Sequence, residues 1–244
     1  GFVFAPAINA SDNTAVSNSV RKASDDSPVS NPLIQAMDEE LKRNFKKLKD
    51  AGKAPLYFLG YRLYEGTWDS ISAKYGALED REPSTSWRMS AVELRVGSPQ
   101  FDNTHYQRSD RSSAPTFYEK SSDRDSALPA HGKGLPVRQA FWLKTHEAFK
   151  RAQSRYQSLK ASQDVLAQED DKSADFSLQP MHRYQSPVLK DEEIDRGKWE
   201  EVVKRLSRVF LNSPHIDSSG VTFSSSPTTR YIVTSEGSQI VEHQ

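Results

Sequence analysis

The sequence predicts an α+β fold, in which about three helices pack against an antiparallel or mixed sheet made of a three-strand meander and a C-terminal hairpin. Segments with apolar residues at helical spacing are separated along the chain from segments rich in aromatic and β-branched residues. Their order is helix, three strands, two helices, two strands, which differs from the strict alternation of a parallel α/β protein. With 35% hydrophobic residues among 244, the chain is large enough to bury a core.

The chain is predicted to divide into a flexible arm, residues 1–30, and a single α+β domain, residues 31–244. From residue 11 onwards the arm is rich in Ser, Asp and Asn, so burial cannot offset the entropy lost on ordering it. Its apolar start, Phe2 to Ala10, has small residues spaced as at a signal-peptidase site. Two interpretations stay open for this start: the end of an export signal to the periplasm or beyond, or a disordered arm of a cytoplasmic protein.

The first helix is predicted to begin at Asn31-Pro32, because an asparagine side chain caps free N–H groups and proline fits the first helical position. Its apolar stripe consists of Leu33, Met37, Leu41, Phe45 and Leu48. Gly52 and Pro55 are expected to end it.

The predicted meander follows directly after this helix. Its strands are expected at Leu56–Tyr64, Ser70–Leu78 and Trp87–Val96. Glu65-Gly66-Thr67 is interpreted as the first turn, and a change of phase between Ala91 and Val92 as a bulge in the third strand.

The second half of the chain begins with a long polar segment, residues 98–136, which is predicted to be either mobile or functional. A helix is expected from Val137 to at least Leu159, and a third from Asp191. The apolar stripe of the third helix consists of Trp199, Val202, Val203, Leu206, Val209 and Phe210. The terminal hairpin is expected to join Gly220–Phe223 to Thr229–Thr234.

Composition argues against several classes of function. Thirty-three basic residues balance thirty-three acidic ones, so no nucleic-acid partner is expected. No stretch approaches the roughly 20 apolar residues of a membrane span, so a soluble chain is expected. The absence of cysteine excludes a disulfide scaffold, a thiol nucleophile and a cysteine-ligated zinc, and no cofactor is predicted. Oligomeric state stays open.

No catalytic or metal-binding residue is predicted. A helical His146-Glu147 would need a second histidine one turn later to bind zinc, but Lys150 and Arg151 stand there. The other histidines are scattered over predicted loops and ends: His105, His131, His182, His215 and His243. A hydrolase built from these loop histidines stays a third hypothesis. The acidic residues Asp191 to Asp195 are interpreted as the start of a helix, where negative side chains interact favourably with the helix dipole.

One polar run is a candidate site. Phe101-Asp102-Asn103-Thr104 follows the strongest predicted strand directly. Such a run either turns the chain through side-chain to backbone hydrogen bonds or contacts a ligand at the end of the sheet. The aromatics Tyr57, Phe58, Tyr61 and Tyr64 are expected in the core, with a ligand groove as the alternative.

Seven groups of residues, from about residue 31 to the end, carry a resemblance to a known family. They are Met37–Leu41, Tyr57–Tyr61, Tyr75–Leu78, Val92–Gly97 with Phe101–Thr104, Leu135-Pro136 with Trp142-Leu143, His146–Ala152 and Tyr231–Gly237. In this order they resemble the amino-terminal, non-metal-binding domain of the TldD/PmbA (modulator of DNA gyrase-like) metallopeptidase family, in a branch found as exported bacterial proteins.

The resemblance implies a two-part protein, in which this α+β domain forms part of a substrate passage and a later domain supplies zinc from a His-Glu-x-x-x-His helix. That later motif is not found in these residues, so no ligand or catalytic residue is carried over. The chain is expected to be a non-catalytic accessory or substrate-guiding domain, whether as part of a longer protein or alone. The alternative is a stand-alone exported module that binds a peptide or protein partner.

Overall fold

The computed structural model describes residues 29–79, 83–105, 132, 134–163, 173–187, 194–212 and 215–244. The predicted arm up to residue 28, residues 106–131 of the long polar segment and Asp191 to Glu193 lie outside these ranges. Val29, which the sequence assigns to the arm, is buried, and its N–H donates to Gln239 Oε1 at 3.1 Å. The ordered domain therefore includes the last residues of the predicted arm.

Helix α1 spans Pro32–Leu48 and begins as the sequence predicts. Asn31 Oδ1 accepts hydrogen bonds from Leu33 N at 2.8 Å and from Ile34 N at 3.4 Å, which satisfies two N–H groups that have no partner inside the helix. The buried face contains four of the five expected apolar residues, with Phe45 only partly buried, and two polar residues, Glu40 and Asn44.

The described residues form a mixed sheet of eight strands around β1 (Leu56–Lys74), which is 19 residues long. The other strands are β2 (Ala77–Leu78), β3 (Thr85–Ser98), β4 (Phe101–Asp102), β5 (Arg183–Gln185), β6 (Val221–Ser225), β7 (Thr228–Thr234) and β8 (Gln239–His243). The sheet path is β4-β3-β1-β7-β8-β5, with β2 and β6 also paired to β1. The α+β class is therefore confirmed.

The first two predicted strands are one strand, so the predicted turn at Glu65-Gly66-Thr67 was wrong. Gly66 lies inside β1 and pairs with Trp87. A Cβ at this position would lie 2.5 Å from Pro227 O and 3.0 Å from the Trp87 ring. Glycine therefore allows these two neighbours to approach the β1 backbone closely. The chain reverses at Tyr75-Gly76, whose φ angles of 49° and 85° are those of a tight hairpin turn.

Two further details of the sheet differ from the predictions. Ala91 and Val92 pair regularly with β1, and the register shift lies instead between Leu56 and Phe58. The predicted hairpin between β6 and β7 is not formed, because these two strands do not fold back on each other. The C-terminal hairpin joins β7 to β8 instead. Strands β6 and β7 lie one after the other along β1, opposite Asp69–Ala73 and Gly60–Gly66. The Ser-Ser-Pro segment continues the chain direction instead of reversing it.

The helices pack on the face of β1 that carries Leu59, Tyr61 and Leu63. Helix α2 (Leu135–Gln163) packs against α1 and β3. Helix α3 (Arg196–Ser207), followed by a 3-10 turn (Arg208–Asn212), packs against the second half of β1. None of the described helices is both long and apolar enough to cross a membrane.

The third helix buries less of its predicted stripe than expected. Val203 is buried with Ile71 and Ala73, and Trp199 stacks on Phe223 with ring centroids 3.9 Å apart. Leu206 and Val209, however, are 48% and 63% exposed. The helix ends at Ser207, and the 3-10 turn rotates the later apolar residues away from the sheet.

Candidate functional site

The candidate segment Phe101–Thr104 lies at one end of the sheet, where β4 pairs with the last residues of β3. Gly97 is paired with Asp102 and has a φ of +112°, which few residues other than glycine adopt. A Cβ on Gly97 would lie 2.6 Å from Phe101 O and 2.5 Å from the Tyr156 ring. The tight reversal therefore depends on this glycine.

Asp102 is fully buried and accepts four hydrogen bonds. Its Oδ2 accepts from Tyr57 Oη at 2.5 Å and from Arg95 Nη1 at 2.9 Å. Its Oδ1 accepts from Thr104 N at 2.6 Å and from Thr104 Oγ1 at 2.7 Å. Since a carboxylate has about four acceptor positions, internal donors fill the capacity of Asp102.

Arg95 connects Asp102 to a row of charges on the sheet face opposite the helices. Arg95 is 2% exposed, and its Nε donates to Glu93 Oε1 at 3.1 Å. Glu93 Oε2 accepts in turn from Arg62 Nη2 at 2.8 Å. Burial opposes the charge on Arg95, but the hydrogen bond and charge of Asp102, with the charge of Glu93, outweigh it and raise the pKa of the guanidinium.

Tyr57 is held in its neutral form by the same network. Burial raises the pKa of the Tyr57 phenol, and the hydrogen bond to Asp102 and the charge of that carboxylate raise it further. Tyr57 therefore acts as a hydrogen-bond donor and not as a base.

Asn103 makes hydrogen bonds to the outer edge of β3, as a neighbouring strand would. Its Oδ1 accepts from Val96 N at 2.7 Å, and its Nδ2 donates to Leu94 O at 3.3 Å. Its backbone also takes part, since Asn103 N donates to Val96 O at 3.2 Å and its carbonyl accepts from Arg155 Nε at 3.1 Å. The turn-forming role of this run is thus visible in the structure, and the ligand-contacting role stays a prediction.

A second segment, which sequence reasoning missed, lies over this network. Asp175 Oδ2 accepts from Asp102 N at 2.8 Å, and Asp175 Oδ1 lies 2.7 Å from His105 Nδ1. Phe176 N donates to Pro99 O at 3.0 Å. The sequence signal for this segment is weak: a lone aromatic, Phe176, in an otherwise polar stretch.

The ring of Phe176 occupies a pocket on the sheet face opposite the helices. Its centroid lies 4.8 Å from that of Phe58, 6.0 Å from that of Tyr57 and 4.4 Å from the guanidinium carbon of Arg95. This is an aromatic cluster with a cation over the ring face. Phe58 is 5% exposed although it faces away from the helices.

Another buried charge cluster lies further along β1. Glu65 Oε2 accepts from Arg88 Nη2 at 2.6 Å and from Arg88 Nε at 3.1 Å, and Glu65 Oε1 accepts from Tyr231 Oη at 2.5 Å. Arg88 Nη1 also donates to Gly132 O at 2.7 Å. Burial, then Glu65, raises the pKa of Tyr231. Both oxygens of Glu65 therefore have internal donors.

The other sequence candidates are dispersed. His146 Nδ1 lies 2.9 Å from Trp142 O within α2, and His243 Nδ1 lies 2.9 Å from Thr229 Oγ1. Within the described part of the chain, no three His, Asp or Glu side chains form a group that could hold a metal ion. Phe58 and Tyr61 are buried, as expected of core aromatics, while Tyr57 and Tyr64 are partly exposed.

Two solved structures follow a similar chain path. One is TldE from Thermococcus kodakarensis, with 12% sequence identity and a TM-score of 0.45 over 85% of this chain and 36% of that one. The other, from Thermotoga maritima, is a candidate modulator of a DNA gyrase, with 12% identity and a TM-score of 0.43 over 85% of this chain and 37% of that one. The chain spans little more than a third of their length.

Comparison by sequence gives no further relative. No protein-family model matches the chain, and no curated protein matches it.

Proposed function

We propose that this chain is a non-catalytic accessory domain that guides peptide substrate in a TldD/PmbA-like metallopeptidase assembly, whose zinc-binding half is supplied elsewhere. The observation that carries the proposal is that hydrogen-bond donors within the protein occupy all four acceptor positions of the Asp102 carboxylate at the sheet end. A carboxylate that serves as general base or metal ligand needs a free lone pair directed at water or metal. Asp102 instead holds Arg95 and Tyr57 in place.

Guidance of a peptide requires a fixed surface with polar and apolar contacts, and the network supports such a surface. Arg95 is held by both Glu93 and Asp102, and its guanidinium carbon lies 4.4 Å from the centre of the Phe176 ring, so the network fixes a cation against an aromatic side chain. The sequence resemblance implies the same role, because the corresponding domain of the family forms part of a substrate passage.

The proposal is tested with the purified chain, alone and with a TldD/PmbA-type protein that carries a His-Glu-x-x-x-His helix. Alone, the chain is expected to retain no stoichiometric zinc after dialysis and to cleave no peptide. Added to the zinc-carrying protein, it is expected to raise kcat/KM for peptide cleavage. One tightly bound zinc per chain, together with proteolysis that chelation abolishes, would contradict the proposal.

The second candidate is a stand-alone exported module that binds a peptide or protein partner. The observation that favours it is the docking of Asp175 and Phe176 on the sheet face through side-chain contacts. This candidate predicts peptide binding by the chain alone and no effect on the peptidase. Binding together with peptidase activation would favour the accessory domain instead.

A further inference from the structure

The segment from Ser173 to His182 lies on the protein in the manner of a bound peptide. Asp175 and Phe176 are partly buried, whereas the residues on either side of this pair are exposed, including Leu178 at 63% and Met181 at 40%. Attachment at the sheet end involves this pair of side chains, the hydrogen bond from Phe176 N to Pro99 O and one from Arg95 Nη1 to Asp175 O at 3.4 Å. The last residue of the segment, His182, is hydrogen-bonded to Ser238 and Gln239. We call residues 173–182 the strap.

The residues that line the pocket under Phe176 are each held by contacts outside the strap, although Arg95 Nη1 also donates to Asp175 O of the strap at 3.4 Å. Arg95 is held by Glu93 and Asp102, and Tyr57 by Asp102. The Phe58 ring lies across Gly60, where a Cβ would be 3.3 Å from the ring. The pocket is therefore preformed, which lowers the entropic cost of binding an aromatic side chain there.

The neighbouring subsite suits a carboxylate. Asp102 N donates to Asp175 Oδ2 at 2.8 Å, and His105 Nδ1 lies 2.7 Å from Asp175 Oδ1. A backbone N–H and an imidazole together bind one carboxylate through both oxygens. The spacing of the two subsites fits an acidic residue followed directly by an aromatic residue, as Asp175 and Phe176 are placed by the bend at Asp175.

We propose that this paired pocket is a recognition site for an acidic-aromatic dipeptide within a peptide, and that the strap is its internal occupant, displaced when such a peptide binds. The inference rests on the proposed function, since it names the chemistry of the peptide that the domain guides. An incoming peptide regains the contacts that the strap gives up, so the tethered strap acts as an intramolecular competitor.

The first test uses the full chain and a synthetic peptide with the strap sequence Ser-Ala-Asp-Phe-Ser-Leu. The variant Phe176→Ala empties the aromatic subsite and is expected to bind this peptide at least ~10-fold more tightly than the wild type, because a tethered competitor has an effective concentration near the millimolar range. Titration calorimetry measures both affinities. Leu178→Ala is the matched control, since Leu178 is exposed on the same strap, and it is expected to bind as the wild type does.

Specificity is tested with altered peptides. Peptides with Ala in place of Phe, or with the order Phe-Asp, are expected to lose binding to the Phe176→Ala variant. Equal binding of all three peptides, or no binding of the strap peptide to a folded Phe176→Ala variant, would overturn the inference.

A second measurement uses the unaltered protein and does not depend on a variant that folds. Asp102 N bonds to the strap, whereas the adjacent Asn103 N bonds to Val96 O in β3. Displacement of the strap predicts that the amides of Asp102 and Phe176 exchange with solvent at least ~10-fold faster than that of Asn103, through local opening. Exchange of all three amides only by global unfolding would overturn the inference.

These outcomes are distinguishable from failure of the proposed function. Zinc binding and peptide cleavage by the chain alone would contradict the accessory role but would not contradict the proposed recognition site. Absence of strap-peptide binding would contradict the proposed recognition site. The accessory role would then be tested separately, by activation of the peptidase.

Discussion

Asn103 lies just after β4, beside the outer edge of β3. Its side-chain amide makes hydrogen bonds to that edge which a neighbouring strand would otherwise make. It is 8% exposed, and it satisfies the N–H of Val96 and the carbonyl of Leu94. Backbone groups left unpaired in a buried position destabilise the folded state by about 1–3 kcal/mol each. One side chain therefore ends the sheet edge and positions the Asp102 network beside it.

Replacement of Asn103 by alanine is expected to lower the free energy of unfolding by about 2–5 kcal/mol, because both backbone groups lose their partner. Urea denaturation followed by circular dichroism measures the change. Gln100→Ala is the matched control, since Gln100 is exposed in the same turn, and its effect is expected to stay within about 0.5 kcal/mol. Equal effects of the two substitutions would show that the Asn103 side chain does not stabilise the edge.

Tyr61 shows how a buried polar atom is accommodated in the main core. Its ring stacks on Phe141 at 4.3 Å, and its hydroxyl lies 2.9 Å from Asn44 Nδ2 and 2.6 Å from Thr145 Oγ1. Burial raises the pKa of Tyr61 to about 12, although its hydrogen bonds with Thr145 and Asn44 oppose the shift. The hydroxyl thus connects α1, β1 and α2 and stays neutral at physiological pH.

At the scale of elements, β1 organises the molecule because it pairs with neighbours along its whole length. Its first part lies between β3 and β7, and its second part pairs with β6 and β2. The helices α1 and α2 cover the first part, and α3 covers the second. The strands β3 and β4 are joined by a turn at Pro99-Gln100, and Gly97 of β3 is paired with Asp102 of β4 beside it.

Gly97→Ala is expected to lower the free energy of unfolding by about 2–4 kcal/mol, because alanine is strained at a φ of +112° and its Cβ meets a backbone oxygen. Gly134→Ala is the matched control. Gly134 also has a positive φ, of +71°, but no atom lies within 4 Å of its Cβ position, so only about 1 kcal/mol is expected. Thermal and urea unfolding of both variants separates conformational strain from steric overlap, and equal losses would contradict the role of the close contact.

At the scale of the whole molecule, charges from distant parts of the sequence meet on the sheet face opposite the helices. Glu236, in the turn between β7 and β8, lies near Glu93 of β3. Burial raises the pKa of Glu236, the charge of Glu93 raises it further, and a backbone hydrogen bond from Gln179 opposes both. Ionisation of Glu236 is therefore less favourable in the folded state than in the unfolded chain.

The sign of the pH dependence follows from this raised pKa. Below the usual glutamate pKa of about 4.3 both states are protonated, and the folded state carries no penalty from this group. As the pH rises through the folded-state pKa, stability is lost. Glu236→Gln is therefore expected to be more stable than the wild type at pH 7, with the difference vanishing near pH 4, as measured by urea unfolding at both values.

Glu201→Gln provides a control of opposite sign. The hydrogen bond and charge of Lys204 lower the pKa of Glu201, so its loss is expected to destabilise the protein at pH 7 and to have no effect well below the usual glutamate pKa. A Glu236→Gln difference that is the same at both pH values would contradict the raised pKa of Glu236.

The sequence by itself determined the α+β class, the cap of α1 at Asn31, the extent of α2 and the burial of Phe58 and Tyr61 in β1, because periodicity and capping are local properties. Tertiary structure alone decided that the chain at Gly66 continues straight, that β6 and β7 follow each other along β1, and that Phe176 docks beside Arg95. A glycine in a turn and a glycine under a neighbouring ring look alike in sequence. Contacts between residues some eighty positions apart, as between Phe176 and Arg95, depend on packing that no local pattern encodes.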